Sequence, residues 1–131
     1  MALLDDLFDY LTFKGAGDPP WRISKSFQDD DSDLLITVCE YPGAPADTLG
    51  RENERPKFQV YVRASRLDYA TARAKWDQVY GYLQDAQDDG AGHLTGYAYI
   101  QSLAGGSPFP RQDDKGRWCL STNFQVCKAR A

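Results

Sequence analysis

The chain is 131 residues long, which fits one domain and is enough to bury a core without a metal ion or disulfide bridges to stabilise it. Hydrophobic residues make up 42% of it and charged residues 26%, which is typical of globular proteins and not of disordered or membrane-spanning chains. Fifteen Lys and Arg against 19 Asp and Glu give a net charge of −4, and the basic residues are scattered, so sequence-specific DNA binding is not expected.

The first half of the chain predicts one helix and then an isolated strand. Residues 2–13 place apolar side chains three and four positions apart, which predicts an amphipathic helix that ends at the Gly and Pro residues of 15–20. Residues 21–27 alternate loosely between apolar and polar side chains, a pattern that fits either a short strand or a docked arm. Residues 34–41 are rich in β-branched and apolar side chains, which predicts a strand buried on both faces. Pro and Gly residues should then end it and begin an exposed loop over 42–54.

The second half predicts a strand, a long helix and two further strands. Residues 56–63 alternate between apolar and polar, as a half-buried strand does. A stripe at three- and four-residue spacing predicts a helix over 68–86, with Asp68 as its N-cap. Strands are predicted over 94–103 and 118–126, with a hairpin turn at 113–116. The expected fold is a single α+β domain spanning 1–131, with the order α-β-β-α-β-β and a mixed, mostly antiparallel sheet of about four strands.

The sequence contains no recognisable catalytic motif. His93 is the one histidine and lies in a glycine-rich turn with no nucleophile motif near it, so no catalytic residues are expected. Cys39, Cys119 and Cys127 lack metal-ligand spacing and are interpreted as reduced packing thiols. No nucleotide-binding glycine pattern is present. The sequence therefore predicts a protein without enzymatic activity and without cofactors.

The run of acidic residues at 29–33 has the spacing of a calcium loop but not its other features. The sixth position, where such a loop requires glycine, is Leu34, and the flanking segments are not helical. We interpret the run as an acidic patch facing a lumen or solvent, and no metal site is expected. The patch consists of Asp29, Asp30, Asp31 and Asp33.

One segment resembles a known family. A buried strand with a Gly- and Pro-bearing end, at 37–45, is followed by Glu-Arg-Pro-Lys-Phe-Gln-Val-Tyr-Val-Arg-Ala at 54–64 and by the helix start at 68–74. A turn at 114–117 and a strand at 121–126 complete the pattern. This arrangement, over about residues 1–128, resembles the tail-terminator and minor capsid proteins of the head–tail neck of long-tailed bacteriophages.

The resemblance implies a structural virion protein. Members of the family form a ring of six subunits that caps the tail tube, ends its polymerisation and joins the tail to the head connector. The resemblance also implies that the chain forms a homo-oligomer. Its other partners would be the tail tube protein and a head-side neck protein. Genomic DNA would pass through the lumen without specific binding, and no membrane is involved. The expected location is the virion tail or neck, assembled in the cytoplasm of the bacterial host.

We expect the contacts between subunits or rings to come from the loops at 42–54 and 104–116. The charged residues expected to make them are Arg51, Arg55 and Arg111.

Two other functions remain open at this point. A head-completion or connector protein of the neck shares the same size and charge. A small ligand- or partner-binding module would instead use aromatic side chains of the last two predicted strands. These aromatic side chains are Tyr97, Tyr99, Trp118 and Phe124.

Overall fold

The computed structural model describes residues 3–26, 33–44, 53–88, 90, 92–103 and 107–129, with the backbone alone in 41–44, 53–55 and 128–129. In chain order the elements are α1 (Leu3–Phe13), β1 (Arg22–Lys25), β2 (Leu35–Ala44), β3 (Asn53–Arg66), α2 (Tyr69–Leu83), β4 (Tyr97–Ser102), β5 (Phe109–Gln112) and β6 (Arg117–Ala129). The predicted α+β class and both helices are confirmed, but the sheet has six strands and not about four.

The sheet is mixed and mostly antiparallel, as predicted. Its strands follow the order β1-β2-β3-β6-β4, and β5 also pairs with β6. β1 runs parallel to β2, while the other pairings among the described strands are antiparallel. β4 and β5 lie one after the other along the same edge of β6, because β4 pairs with its second half and β5 with its first.

Several strands differ from the sequence prediction or complete it. β5 forms where a loop was predicted, and β1 takes the strand alternative for 21–27. β2 does not stop at Pro42 but continues to Ala44. Pro42 has no N–H to donate to the neighbouring strand, and a shift in register between Tyr41 and Ala44 accommodates it. β3 begins at Asn53. The predicted exposed loop of 42–54 is therefore wrong at both ends, and its middle, 45–52, lies outside the described residues.

The core lies between the two helices and one face of the sheet. Side chains alternate along strands, so every second residue of β2, β3 and β6 faces the helices. These buried sheet residues include Ile36, Val38, Phe58, Val60, Val62, Leu120, Phe124 and Val126. The helices contribute Leu3, Leu7, Leu11, Trp76, Val79 and Leu83 to the same cluster.

The start of α2 has the predicted cap. The Asp68 carboxylate accepts a hydrogen bond of 3.1 Å from the Thr71 backbone N–H. We expect Asp68→Ala to lower the free energy of unfolding by about 1 kcal/mol, because one N–H of the first turn loses its acceptor. Asp68→Asn keeps an acceptor and should lose much less. Urea titrations of both variants measure the difference, and equal losses would contradict the capping role.

Helix α2 ends at Leu83, three residues before the predicted end. The Gln84 backbone N–H closes the last turn on the Tyr80 carbonyl at 2.8 Å, and Asp85 takes a positive φ of 64° that turns the chain away from the helix axis. Ala86 is buried although it is not helical, so its position in the apolar stripe misled the prediction.

Candidate assembly surfaces

The outer edge of β4 is closed by the segment that follows α2. The Asp85 N–H donates to the Ile100 carbonyl at 2.8 Å, and the Ile100 N–H donates to the Ala86 carbonyl at 3.0 Å. The Gln84 side chain accepts from the Ser102 N–H at 2.8 Å. These bonds satisfy polar groups that would otherwise be open to another strand, so this edge is protected against pairing with a second chain.

The face of the sheet opposite the helices is different in character. The strand register brings its side chains into one surface, which we call the open face. In the middle of the sheet its residues are small or polar and half-buried, apart from the fully buried Thr37, and β5 adds two exposed side chains. The open face comprises Thr37, Cys39, Gln59, Tyr61, Ser121, Asn123, Phe109 and Arg111.

A groove crosses the open face beside β5. Side chains of β3, β5 and β6 and of the two residues before β5 line it. They are Gln59, Tyr61, Ser107, Pro108, Phe109, Arg111, Cys119, Ser121, Thr122 and Asn123. The Tyr61 hydroxyl donates to the Gln59 side-chain oxygen at 2.6 Å, which fixes both side chains along the floor. An exposed phenyl, an arginine and a tyrosine around a polar floor form the composition that protein–protein interfaces favour.

The β5–β6 turn holds a buried arginine. Arg117 is 4% exposed in its side chain; its Nε donates to Asp113 at 2.8 Å and its Nη1 to Asp33 at 3.2 Å. Asp113 also accepts from the backbone N–H groups of Lys115 and Arg117, each at 3.0 Å. Gly116 completes the predicted turn with a φ of 76°, a conformation that glycine adopts without strain. This end of the sheet is therefore rigidly built.

An apolar tip lies beside that turn. Leu67 is largely exposed and has a positive φ of 59°, and its N–H donates to the Gly116 carbonyl at 3.1 Å. Next to it the rings of Tyr69 and Trp118 meet edge to face at 5.3 Å between centroids. Leucine rarely adopts a positive φ, so the hydrogen bond to the turn holds this side chain in an outward position.

Burial favours the neutral forms of two thiols and one tyrosine on or beside the open face. Burial raises the pKa of the Cys39 thiol, and burial followed by the nearby Asp113 raises the pKa of Cys119. Burial also raises the pKa of Tyr61. A reactive thiolate needs the opposite shift. Within the described part of the chain, no group of three His, Cys, Asp or Glu side chains is arranged to hold a metal ion.

The sequence of the chain matches a known protein family. The model of a family described as bacteriophage tail terminator protein matches residues 10–129, nearly the whole chain. The chain belongs to the bacteriophage tail terminator family. It is accordingly a structural protein of a phage or phage-like particle and not an enzyme.

A solved structure shares this fold. A chain from the virion of a native gene transfer agent particle superposes with a TM-score of 0.67 at 15% identity, covering 98% of this chain and 96% of that one. No match was found among curated protein sequences. In the described part of the tail terminator, no helix is long and apolar enough to cross a membrane.

The residues expected to make assembly contacts are only partly within the described structure. Arg111 lies on β5, exposed, at the rim of the groove. Arg55 lies on β3 opposite Ala44, and its side chain is outside the description, as is all of Arg51. The three contacts remain predictions, and the structure does not bring them into one described cluster.

The predicted acidic patch is likewise reduced to one described member. Asp33 precedes β2 and pairs with Arg117, while Asp29, Asp30 and Asp31 lie outside the described residues. Asp33 is 56% exposed in its side chain, so it remains at the surface while it holds the turn between β5 and β6.

Two of the aromatic residues of the alternative binding site lie in the core. Phe124 and Tyr97 are buried in the core, where Phe124 stacks on Phe58 and the Tyr97 hydroxyl donates to Asp6 at 2.8 Å. Trp118 packs edge to face against Tyr69 at the start of α2. Phe124 and Tyr97 therefore contribute to the packing of the core.

Among the residues that line the groove, only Arg111 was predicted as a contact residue; Gln59, Tyr61, Phe109, Ser121 and Asn123 were not. Phe109 follows a Gly- and Pro-rich segment, where a lone aromatic has no periodic pattern to mark it. Asn123 was taken as part of a strand but not as a site residue. The signal that could have marked Phe109 is its position two residues before Arg111, because alternate residues of a strand share a face.

Proposed function

We propose that this chain forms a ring that caps the tail tube, ends its polymerisation and joins the tail to the head connector. The family match over residues 10–129 carries this proposal. A tail terminator must bind copies of itself and two different neighbours, which requires several separate contact surfaces on one small subunit.

The described surface supports such multiple contacts. The open-face groove around Phe109 and Arg111 lies on the sheet face that the helices leave uncovered. The apolar tip at Leu67 lies at the end of the sheet, beside the turn of residues 113–116. We assign the groove to contacts between subunits and the tip to contacts with the neighbouring ring. A cyclic interface joining unlike surfaces closes into a ring when the rotation permits.

The charge of the chain fits the passage of DNA without specific binding. The net charge of −4 repels phosphates, so a lumen lined by such subunits lets the genome slide through. The tail tube protein below the ring and a head-side connector protein above it are the proposed partners. Assembly takes place in the cytoplasm of the bacterial host before the virion is released.

Deletion of the gene tests the proposal. In the phage or phage-like particle that encodes the protein, we expect tails that exceed the normal length and fail to join heads, because nothing stops the addition of tube subunits. Negative-stain micrographs give the length distribution, and the wild-type gene supplied in trans is the control. Full heads without any tails would instead identify a head-completion protein, and tails of normal length joined to heads would contradict both.

A further inference from the structure

Three side chains of the open-face groove are available to a binding partner. Phe109 is 69% exposed, so its apolar ring is in contact with water in the isolated subunit. Arg111 is exposed and has no ion pair among the described residues. Asn123 Oδ1 is buried, and within the described part of the chain it accepts no hydrogen bond. The groove therefore presents an aromatic surface, a cation and an acceptor to an occupant.

The charged side chains on this side of the sheet are mostly basic. At the strand positions that share the open face, the described charged side chains are Lys57, Arg63, Arg111 and Arg117, and Asp113, which follows β5, pairs with Arg117. The chain as a whole is acidic. An occupant with exposed carboxylates is therefore favoured by electrostatic complementarity.

The complementary surface lies on the same chain. Asp5, Asp9 and Phe13 follow one another at four-residue spacing along α1, so they lie on one side of that helix. Asp5 is paired with Lys25 at 2.7 Å, but Asp9 is exposed and has no ion pair in the described structure. Phe13 is 57% exposed; its ring stacks on His93, and Lys14 Nζ lies 6.0 Å from its centroid. We call Asp9, Thr12 and Phe13 the α1 stripe.

We propose that the α1 stripe of one subunit docks into the open-face groove of the next subunit in the ring. Arg111 of the groove pairs with Asp9, and Phe109 packs against Phe13. Aromatic side chains and arginine dominate the binding energy of protein interfaces when they are desolvated together. The inference rests on the proposed ring function and names the two surfaces that build it.

The polar groups of the two surfaces also match. Thr12 is exposed on the α1 stripe, and its hydroxyl is a donor. Asn123 Oδ1 in the groove is an acceptor that lacks a donor in the described structure. Bringing the stripe into the groove satisfies that buried atom, which otherwise carries a desolvation cost.

A second copy fits the groove better than an unrelated chain does. The α1 helix lies on the helix side of the sheet and the groove on the opposite side, so one subunit cannot satisfy both of its own surfaces. Each subunit therefore offers one stripe and one groove. Such an unlike pairing leads to a closed ring or an open filament, and not to a symmetric dimer.

Charge reversal gives a test with an internal rescue. In Arg111→Glu alone, two carboxylates face each other at every contact; in Asp9→Arg alone, two guanidinium groups do. Each single variant should need on the order of 100-fold higher concentration to form rings, because like charges meet at every interface. When the two variants are mixed, alternating subunits place opposite charges at every contact. Rings should then return, and native mass spectrometry should find equal numbers of the two variants in each.

Two control measurements separate this interface from folding and from general charge effects. Arg73→Glu makes the same charge change on the exposed side of α2, where Arg73 pairs with Asp77 at 3.2 Å. It should leave ring formation at the wild-type concentration. Far-UV circular dichroism and thermal melting of all variants should match the wild type, since none of the changed side chains is in the core.

Several results would overturn the inference. Rings of wild-type stability from either single variant, or a mixture that fails to restore them, would show that Arg111 and Asp9 do not meet. Normal rings that no longer bind tail tubes in Arg111→Glu would assign the groove to the tube protein. A wild-type chain that stays monomeric at millimolar concentration would also overturn it, whereas tail length in the deletion tests the proposed function separately.

Discussion

Phe124→Ala is expected to lower the free energy of unfolding by about 3–5 kcal/mol, the range for removing a buried phenyl ring. Phe124 is fully buried on β6. Its ring stacks on Phe58 with 5.2 Å between centroids and lies 6.1 Å from the ring of Tyr80 on α2. The substitution leaves a cavity where the central strands meet the helix. Since a domain of this size is stable by roughly 5–15 kcal/mol, much of that stability should be lost.

The matched control is the other phenylalanine of the β5–β6 hairpin. Phe109→Ala removes the same group from an exposed position, so its stability in urea should stay within about 0.5 kcal/mol of the wild type. It should nevertheless weaken ring formation, because Phe109 lies in the proposed interface. If Phe109→Ala destabilised the monomer as much as Phe124→Ala, Phe109 would have a structural role and the groove would not be an assembly surface.

The difference between these two phenylalanines shows what the sequence could predict. Phe124 belongs to a strand in which Leu120, Thr122 and Val126 share its face, so alternation predicted both the strand and its buried side. The same pattern predicted β3 through Phe58, Val60 and Val62. Long strands next to the core carry a repeated signal, and these predictions are confirmed.

The short edge strands carry no such signal. All four side chains of β5 are exposed, and one of them is Pro110, so neither periodicity nor composition indicates a strand. β5 forms because the turn at 113–116 folds it back along the free edge of β6. β1 has four residues with two exposed ends. Both strands form because a longer neighbouring strand offers an edge to pair with, and not because of their own residues.

The assembly surfaces were predictable only in part for the same reason. Arg111 was expected to make contacts because of the family resemblance, and the structure places it at the rim of the groove. Its neighbours Gln59, Tyr61 and Asn123 come from strands whose register the sequence does not give. The pairing of Asp33 with Arg117 spans 84 residues, so the sequence could not show that Asp33 pairs with the arginine of the β5–β6 turn.

Arg117→Met is expected to lower the free energy of unfolding by about 2–3 kcal/mol at neutral pH. Removing one partner of a fully buried ion pair costs roughly 3–5 kcal/mol. The loss is smaller here because the carboxylates of Asp113 and Asp33 keep 22% and 56% side-chain exposure, so water can solvate them. Arg73→Met is the matched control: Arg73 also pairs with a carboxylate four residues away, but in solvent. Its effect in urea titrations should be small and should disappear in salt.

The effect of Arg117→Met should also depend on pH. Burial opposes the charged form of Asp113, but hydrogen bonds from Arg117 and Lys115 outweigh it and hold the pKa of Asp113 below its ordinary value. A carboxyl whose pKa is lower when folded stabilises the protein above its unfolded pKa, and this contribution is lost as the pH falls through the folded pKa. The stability difference between wild type and Arg117→Met should therefore be full near pH 7 and shrink below about pH 4. A difference that stays constant into acid would mean that Arg117 stabilises the hairpin through the packing of its alkyl chain, and not through its charge.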